Sequence, residues 1–156
     1  MNDSSGPLER ADERVVTRAM TRADVPAGLA LCRASGWNQT AEDWEQLLAR
    51  GGEGCRVAAL DGQVVGTATS VNYDDRFAWI GMVLVDVNVR GRGIGRALLH
   101  EALARLGPVP ARLDATPKGH SLYLALGFVE ERRLRRLTSP AAPGGAGGGC
   151  REVRPM

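Results

Sequence analysis

An apolar, valine-rich run at residues 80–87 leads into Val89-Arg90-Gly91-Arg92-Gly93-Ile94-Gly95-Arg96, and an amphipathic stretch at 97–106 follows. Strand, glycine loop and helix in that order constrain the fold more than any other feature of the chain. Glycines at alternate positions allow a tight turn that points successive N–H groups inward, and the helix they open adds its positive dipole end to the same spot. The expected occupant carries a pyrophosphate. The dinucleotide pattern G-x-G-x-x-G starts at Gly91 and Gly93, with Asp114 about 20 residues on, yet Arg96 stands where a third glycine must let helix and strand approach. No Gly-Lys-Ser or Gly-Lys-Thr follows, which excludes the mononucleotide loop. A glycine-rich turn before a helix also occurs without any ligand, and that reading stands beside the functional one.

The surrounding pattern is mixed α and β. Val15-Val16-Thr17 reads as a first strand, and residues 25–34 as a helix entered through Thr21-Arg22-Ala23-Asp24 and stopped before Gly36. Thr40 with Asp43 three residues on is a capping pair for a second helix carrying Trp44, Leu47 and Leu48, halted by Gly51-Gly52. Residues 54–60 and 63–71 form a hairpin across Asp61-Gly62, since Asp-Gly favours the twisted two-residue turn. Residues 77–87 read as a central strand covered on both faces, with Trp79 in the core. After the loop and its helix come a short strand at 111–115, a short helix at 117–126 closed by Gly127, and a final strand at 128–137.

With 156 residues the chain holds one domain of ordinary size, taken as 15–138. Residues 1–14 have the composition of a disordered leader, and 139–156 that of a Pro/Gly/Ala tail. Val153-Arg154-Pro155-Met156 is similar to Thr17-Arg18-Ala19-Met20, so this tail also reads as the start of a lost second module. Twenty Lys plus Arg against eighteen Asp plus Glu leave a formal charge of +2, far from that of a dedicated nucleic-acid binder. Arg132, Arg133, Arg135 and Arg136 have no interleaved aromatics and read as a solvated strand face. Cys32, Cys55 and Cys150 lack the spacing of a disulfide framework or a zinc site. No membrane segment, no metal and a cytoplasmic location are the resulting expectations.

Arg90, Gly93 and Gly95 fit Arg-x-x-Gly-x-Gly, which resembles the acetyl-coenzyme A loop of the GNAT superfamily of N-acetyltransferases. Leu122-Tyr123-Leu124-Ala125-Leu126-Gly127-Phe128 is similar to that superfamily's Leu-Tyr-x-x-Leu-Gly-Phe segment, in the right order downstream. Leu113-Asp114-Ala115-Thr116-Pro117-x-Gly, with Gly36-Trp37-Asn38-Gln39-Thr40 earlier, resembles a bacterial subgroup of unassigned substrate. The resemblance implies an α/β (α+β) fold: a central mixed sheet splayed between two parallel strands and flanked by helices.

It also implies roles. Acetyl-CoA would be cosubstrate, with Val83, Leu84 and Val85 presenting backbone groups to pantetheine and thioester, and Gly91, Arg92, Gly93, Ile94, Gly95 and Arg96 cradling the pyrophosphate behind Arg90. Tyr123 would protonate the departing thiolate, since a phenol near pKa 10 stays protonated at neutral pH. Thr116 stands where many members carry asparagine. For the base, Asp86 is first choice, with a loop-capping role as its alternative; His120 is second, and His100 lies toward the polar side of its helix. Trp37, Asn38, Gln39 and Trp44 would meet the acceptor, or the two tryptophans would pack helices onto the sheet. The expected partner is a small-molecule or peptide amine, with a homodimer left open. A catalytically silent acyl-CoA-binding module is the alternative function.

Overall fold

A computed structural model describes residues 15–134. The elements run β1 (Val15–Ala19), α1 (Val25–Ala34), α2 (Ala41–Gly51), β2 (Arg56–Leu60), β3 (Gln63–Tyr73), β4 (Phe77–Val85), α3 (Ile94–Leu106), β5 (Ala111–Leu113) and α4 (His120–Ala125). One five-stranded sheet takes the strands in chain order. The first four are antiparallel, because hairpins or a helical pair return the chain beside itself; β5 lies parallel to β4, because α3 is the crossover that parallel pairing requires. This is the mixed, splayed sheet with flanking helices that the sequence leads one to expect.

Local chemistry sets these elements. Asp61 (φ 49°) and Gly62 (φ 80°) both take positive φ, the geometry of a type I′ turn, and Leu60 pairs with Gln63 across it. At α2 the capping box is complete: the Asp43 N–H donates to Thr40 Oγ1 at 3.3 Å and the Thr40 N–H to Asp43 Oδ2 at 2.7 Å. Asp24, at the entry to α1, accepts both guanidinium nitrogens of Arg18 at 2.7 Å and the Thr21 N–H at 2.8 Å.

The Arg18 guanidinium holds the Asp24 carboxyl down from 3.8 to about 2. A depressed carboxylate contributes stability that is complete above its unfolded pKa and is lost as pH falls through the folded one. The shift corresponds to about 2 kcal/mol, nearer 1 once the exposure of Arg18 is allowed for. Asp24→Asn is therefore expected to lower the melting temperature at pH 7 and to flatten the loss of stability between pH 4 and pH 2, which a thermal melt series checks.

A bulge decides which side chains of β4 face which layer. Thr69 pairs with Gly81 and Thr67 with Leu84, so Met82 and Val83 together oppose Ala68. Met82 takes φ 49°, and its carbonyl accepts the Thr67 hydroxyl at 2.7 Å. Before the bulge Ile80 packs with Leu99 and Tyr123 on the α3 face; beyond it Val83 joins that face, while Leu84 packs with Trp44, Leu31 and Val57 under α1 and α2. The inserted residue keeps both layers filled as the strand alternates.

Three expectations need correction. Trp79 is not core: it is 36 % exposed, whereas its neighbours Ala78 and Ile80, which face the other side of β4, are buried. The central strand ends at Val85, where Asp86 begins a helical turn at Val87–Val89. No strand forms over the described part of 128–137; the consecutive charges Glu130-Glu131-Arg132-Arg133 offer no alternating apolar face, and Val129 is 82 % exposed. The leader, the tail, Arg135, Arg136 and Cys150 lie outside the described residues.

Candidate active site

β5 pairs with β4 only at Ala78, Trp79 and Ile80, whereas β4 continues to Val85. The edge of β4 turned away from β3 is thus without a strand partner from Gly81 onward, among the described residues. The Asp86 N–H donates to Val65 O at 2.8 Å, on the β3 side. Strand alternation then turns the backbone groups of Val85 and Val83 to the open edge, while Leu84 pairs with Thr67 and is buried. At that edge the Val85 carbonyl accepts Arg90 Nε at 3.0 Å, which ties the loop to the strand end.

The loop is built by backbone conformation. Gly91 (φ 81°) and Gly93 (φ 78°) occupy the left-handed region, and Gly93 caps α3. Ile94, 3 % exposed, plugs the helix start into the core. The N–H groups of the first turn therefore face outward at the positive end of the helix dipole, beside a groove of about 260 Å³. Val85, Gly95 and Leu122 wall it, with Arg90 and Arg96 at its rim. Gly95 keeps it open, since a Cβ there would stand 3.5 Å from Leu122 Cδ2 and 3.7 Å from Val85 Cγ2. Asp86 serves the approach to this loop: its Oδ1 accepts the Asn88 N–H at 2.9 Å and Asn88 Nδ2 at 3.0 Å.

Tyr123 projects from α4 into the gap between β4 and α3. It is 9 % exposed, packs with Ile80 and Leu99, and meets Phe128 edge-on at 6.1 Å. Burial pushes its phenol above the ordinary value of 10. Gly119, one turn earlier, carries the ring against its bare Cα; a Cβ would lie 2.9 Å from Tyr123 Cε2 and 3.3 Å from Oη. Thr116, exposed, accepts the Gly119 and His120 N–H groups on its carbonyl at 3.0 Å and so starts α4. His120 is half-buried and His100 exposed.

The residues expected at the acceptor side divide. Trp37 is half-buried at the end of α1, its N–H on Cys32 O at 2.9 Å, with Asn38 exposed and Gln39 half-buried beyond it. Trp44 does not line a cleft: it is 0 % exposed, and its ring lies where a Cβ on Gly28 would approach to 2.9 Å. It packs α2 onto α1 and the sheet. Gly119 and the exposed Trp79 were not singled out from sequence as site residues. The spacing of four between Gly119 and Tyr123 on one helix face was the available signal for the first. The exposure of Trp79 depends on which helices cover β4, which strand composition does not state.

Residues 24–128 match the model of the acetyltransferase (GNAT) family. The chain belongs to that family. The matched span runs from the capped entry of α1 to Phe128, so this GNAT domain contains the splayed strands, the glycine loop and Tyr123 together. It is 29 % identical over 104 residues to a holothin acyltransferase of Pseudoalteromonas, covering 67 % of this chain and 35 % of that protein. Thus the chain spans about a third of the length of this relative. Among solved structures, a protein of Pyrococcus horikoshii classed as an acetyltransferase superposes with TM-score 0.68 at 26 % identity, over 81 % of this chain and 48 % of that one. Rv2747 of Mycobacterium tuberculosis, solved with CoA and NLQ, gives TM-score 0.65 at 21 % identity, over 75 % and 73 %. The latter likeness concerns the fold.

Proposed function

We propose that this GNAT domain transfers an acetyl group from acetyl-CoA to a primary amine of a small molecule or peptide by direct attack. The observation that carries this reading is the junction of an unpaired β4 edge with a helix-opening glycine loop, both facing one groove. The residues fit the cosubstrate. The groove ends on α3 N–H groups and two arginines, which suits a pyrophosphate, and Gly95 leaves the space that any side chain would fill. Acetyl-CoA supplies an acyl group already activated as a thioester. Val83 and Val85, rather than Leu84, present fixed amide groups to the pantetheine and the acyl carbonyl. Gly91, Arg92, Gly93 and Arg96 hold the phosphates while Arg90 secures the loop. Thr116, in the connection between β5 and α4, takes the position beside the pantetheine.

Tyr123 donates the proton that the departing thiolate needs, and its raised pKa keeps it in the donor form at neutral pH. Asp86 holds the turn before the loop, with one carboxylate oxygen already used by Asn88. Trp37, Asn38 and Gln39, in the α1–α2 connection, border the acceptor. Incubation with acetyl-CoA and a panel of amines, amino acids, polyamines, aminoglycosides and peptides tests the proposal by free-thiol release and mass spectrometry. An acetyl amide product is expected. Binding of acetyl-CoA without turnover on any amine would instead mark a silent acyl-CoA-binding module.

Gly119 gives a narrower check. Gly119→Ala forces the Tyr123 ring aside by a few tenths of an ångström at normal backbone geometry, since the Gly119 φ is −91°. Turnover is expected to fall by roughly tenfold, as misplacing a proton donor does, while acetyl-CoA affinity stays within about twofold. Paired kinetics and calorimetry measure both.

A further inference from the structure

Trp79 stands on the opposite face of β4 from Ile80, and the strand partners identify that face. Thr67, whose partner Leu84 packs beneath α1 and α2, shares its side of β3 with Thr69, Val71 and Tyr73. Their partners Gly81, Trp79 and Phe77 lie on this same face, and Arg112 of β5 is the partner of Trp79. Trp79 is held in the sheet from both sides, one pair before the last β4–β5 pair, Ile80 with Leu113. The next residue on its face is Gly81, which puts no side chain between the indole and the start of the open strand edge, and Met82 beyond it packs with the α1 and α2 cluster.

We propose that Trp79 is the acceptor platform and that the acceptor is a primary amine carried on an aromatic or heteroaromatic body, which stacks on the indole. This rests on the acetyltransferase reading above. An exposed indole on a rigid strand is large, flat and already ordered, so stacking costs little conformational freedom. The side chains of this face give a cation no unengaged carboxylate. Thr69, Val71, Tyr73, Phe77, Trp79 and Gly81 include no carboxylate, and Arg112 of β5, whose guanidinium lies 5.7 Å from the Phe77 ring centre, is already paired with Glu131 at 3.4 Å. A polyamine or aminoglycoside would find the neighbouring carboxylate, Glu131, already engaged by Arg112; a flat neutral ring meets a flat neutral ring.

The test compares 2-phenylethylamine, its saturated isostere 2-cyclohexylethylamine and spermidine at saturating acetyl-CoA, in the full chain and in Trp79→Ala and Trp79→Phe. The wild type is expected to favour the phenyl amine over the cyclohexyl amine by about three- to tenfold in kcat/KM, the scale of one aromatic pair. Trp79→Ala removes that preference, Trp79→Phe keeps most of it, and neither changes acetyl-CoA affinity by calorimetry. Absence of a ring preference in the wild type, turnover of neither ring amine, a preference that survives in Trp79→Ala, or favoured turnover of spermidine each overturns the proposal. Failure of acetyl-CoA to bind the wild type would be the separate failure of the acetyltransferase reading.

Discussion

Replacing Tyr123 by phenylalanine is expected to lower the rate of thiol release by about a hundredfold or more, the usual worth of a placed general acid, with acetyl-CoA affinity changed by less than about twofold. The separation of the two effects follows from the packing. The ring is 9 % exposed, set against Ile80 and Leu99 and edge-on to Phe128, so phenylalanine keeps every apolar contact and loses only the hydroxyl. Melting temperature should accordingly hold. The raised pKa adds a pH signature: Tyr123 stays protonated through neutral pH, so any loss of rate due to its ionisation has its midpoint above the ordinary tyrosine value, and an alkaline fall with a lower midpoint belongs to another group. Steady-state rates for the two proteins across pH check both points. Unchanged turnover in Tyr123→Phe would remove this residue from the chemistry.

Gly95→Leu should act in the opposite way, on binding first. Gly95 is the second residue of α3 and has an ordinary helical setting, so leucine improves helix propensity by about 1 kcal/mol while filling the groove between Leu122 and Val85. The expected result is a protein at least as stable as the wild type whose acetyl-CoA affinity falls by about a hundredfold, close to 3 kcal/mol. Thermal melts and calorimetry on the same preparation distinguish this from unfolding. A variant with intact affinity would mean the cosubstrate docks elsewhere.

The sheet and the loop were legible because they are local. A valine-rich run, alternate glycines and an amphipathic helix are adjacent in sequence, and Asp61-Gly62 or Thr40 with Asp43 signal their turn and cap within a few residues. The roles of individual β4 residues were not legible. They depend on the bulge at Met82 and Val83, a single inserted residue that reverses inward and outward positions partway along the strand. A period-two reading through Phe77 to Val85 therefore cannot assign both Ile80 and Val83 to one face. Trp44 and Trp79 show the same limit. Both are tryptophans near candidate functional segments, but Trp44 is sealed by Gly28 and the α1–α2 contact while Trp79 is 36 % exposed. That difference is tertiary. The strand expected at 128–137 does not form over its described part, where the charges after Val129 leave no apolar face to bury.

The most direct measurement is a calorimetric titration of the full wild-type chain with acetyl-CoA, with coenzyme A, NADH and ATP as comparisons. Single-site binding of acetyl-CoA and coenzyme A with a Kd on the order of micromolar, and none of comparable strength for the two nucleotides, is the predicted result. No detectable binding of acetyl-CoA, or preference for NADH or ATP, would contradict the assignment of the glycine loop to coenzyme A.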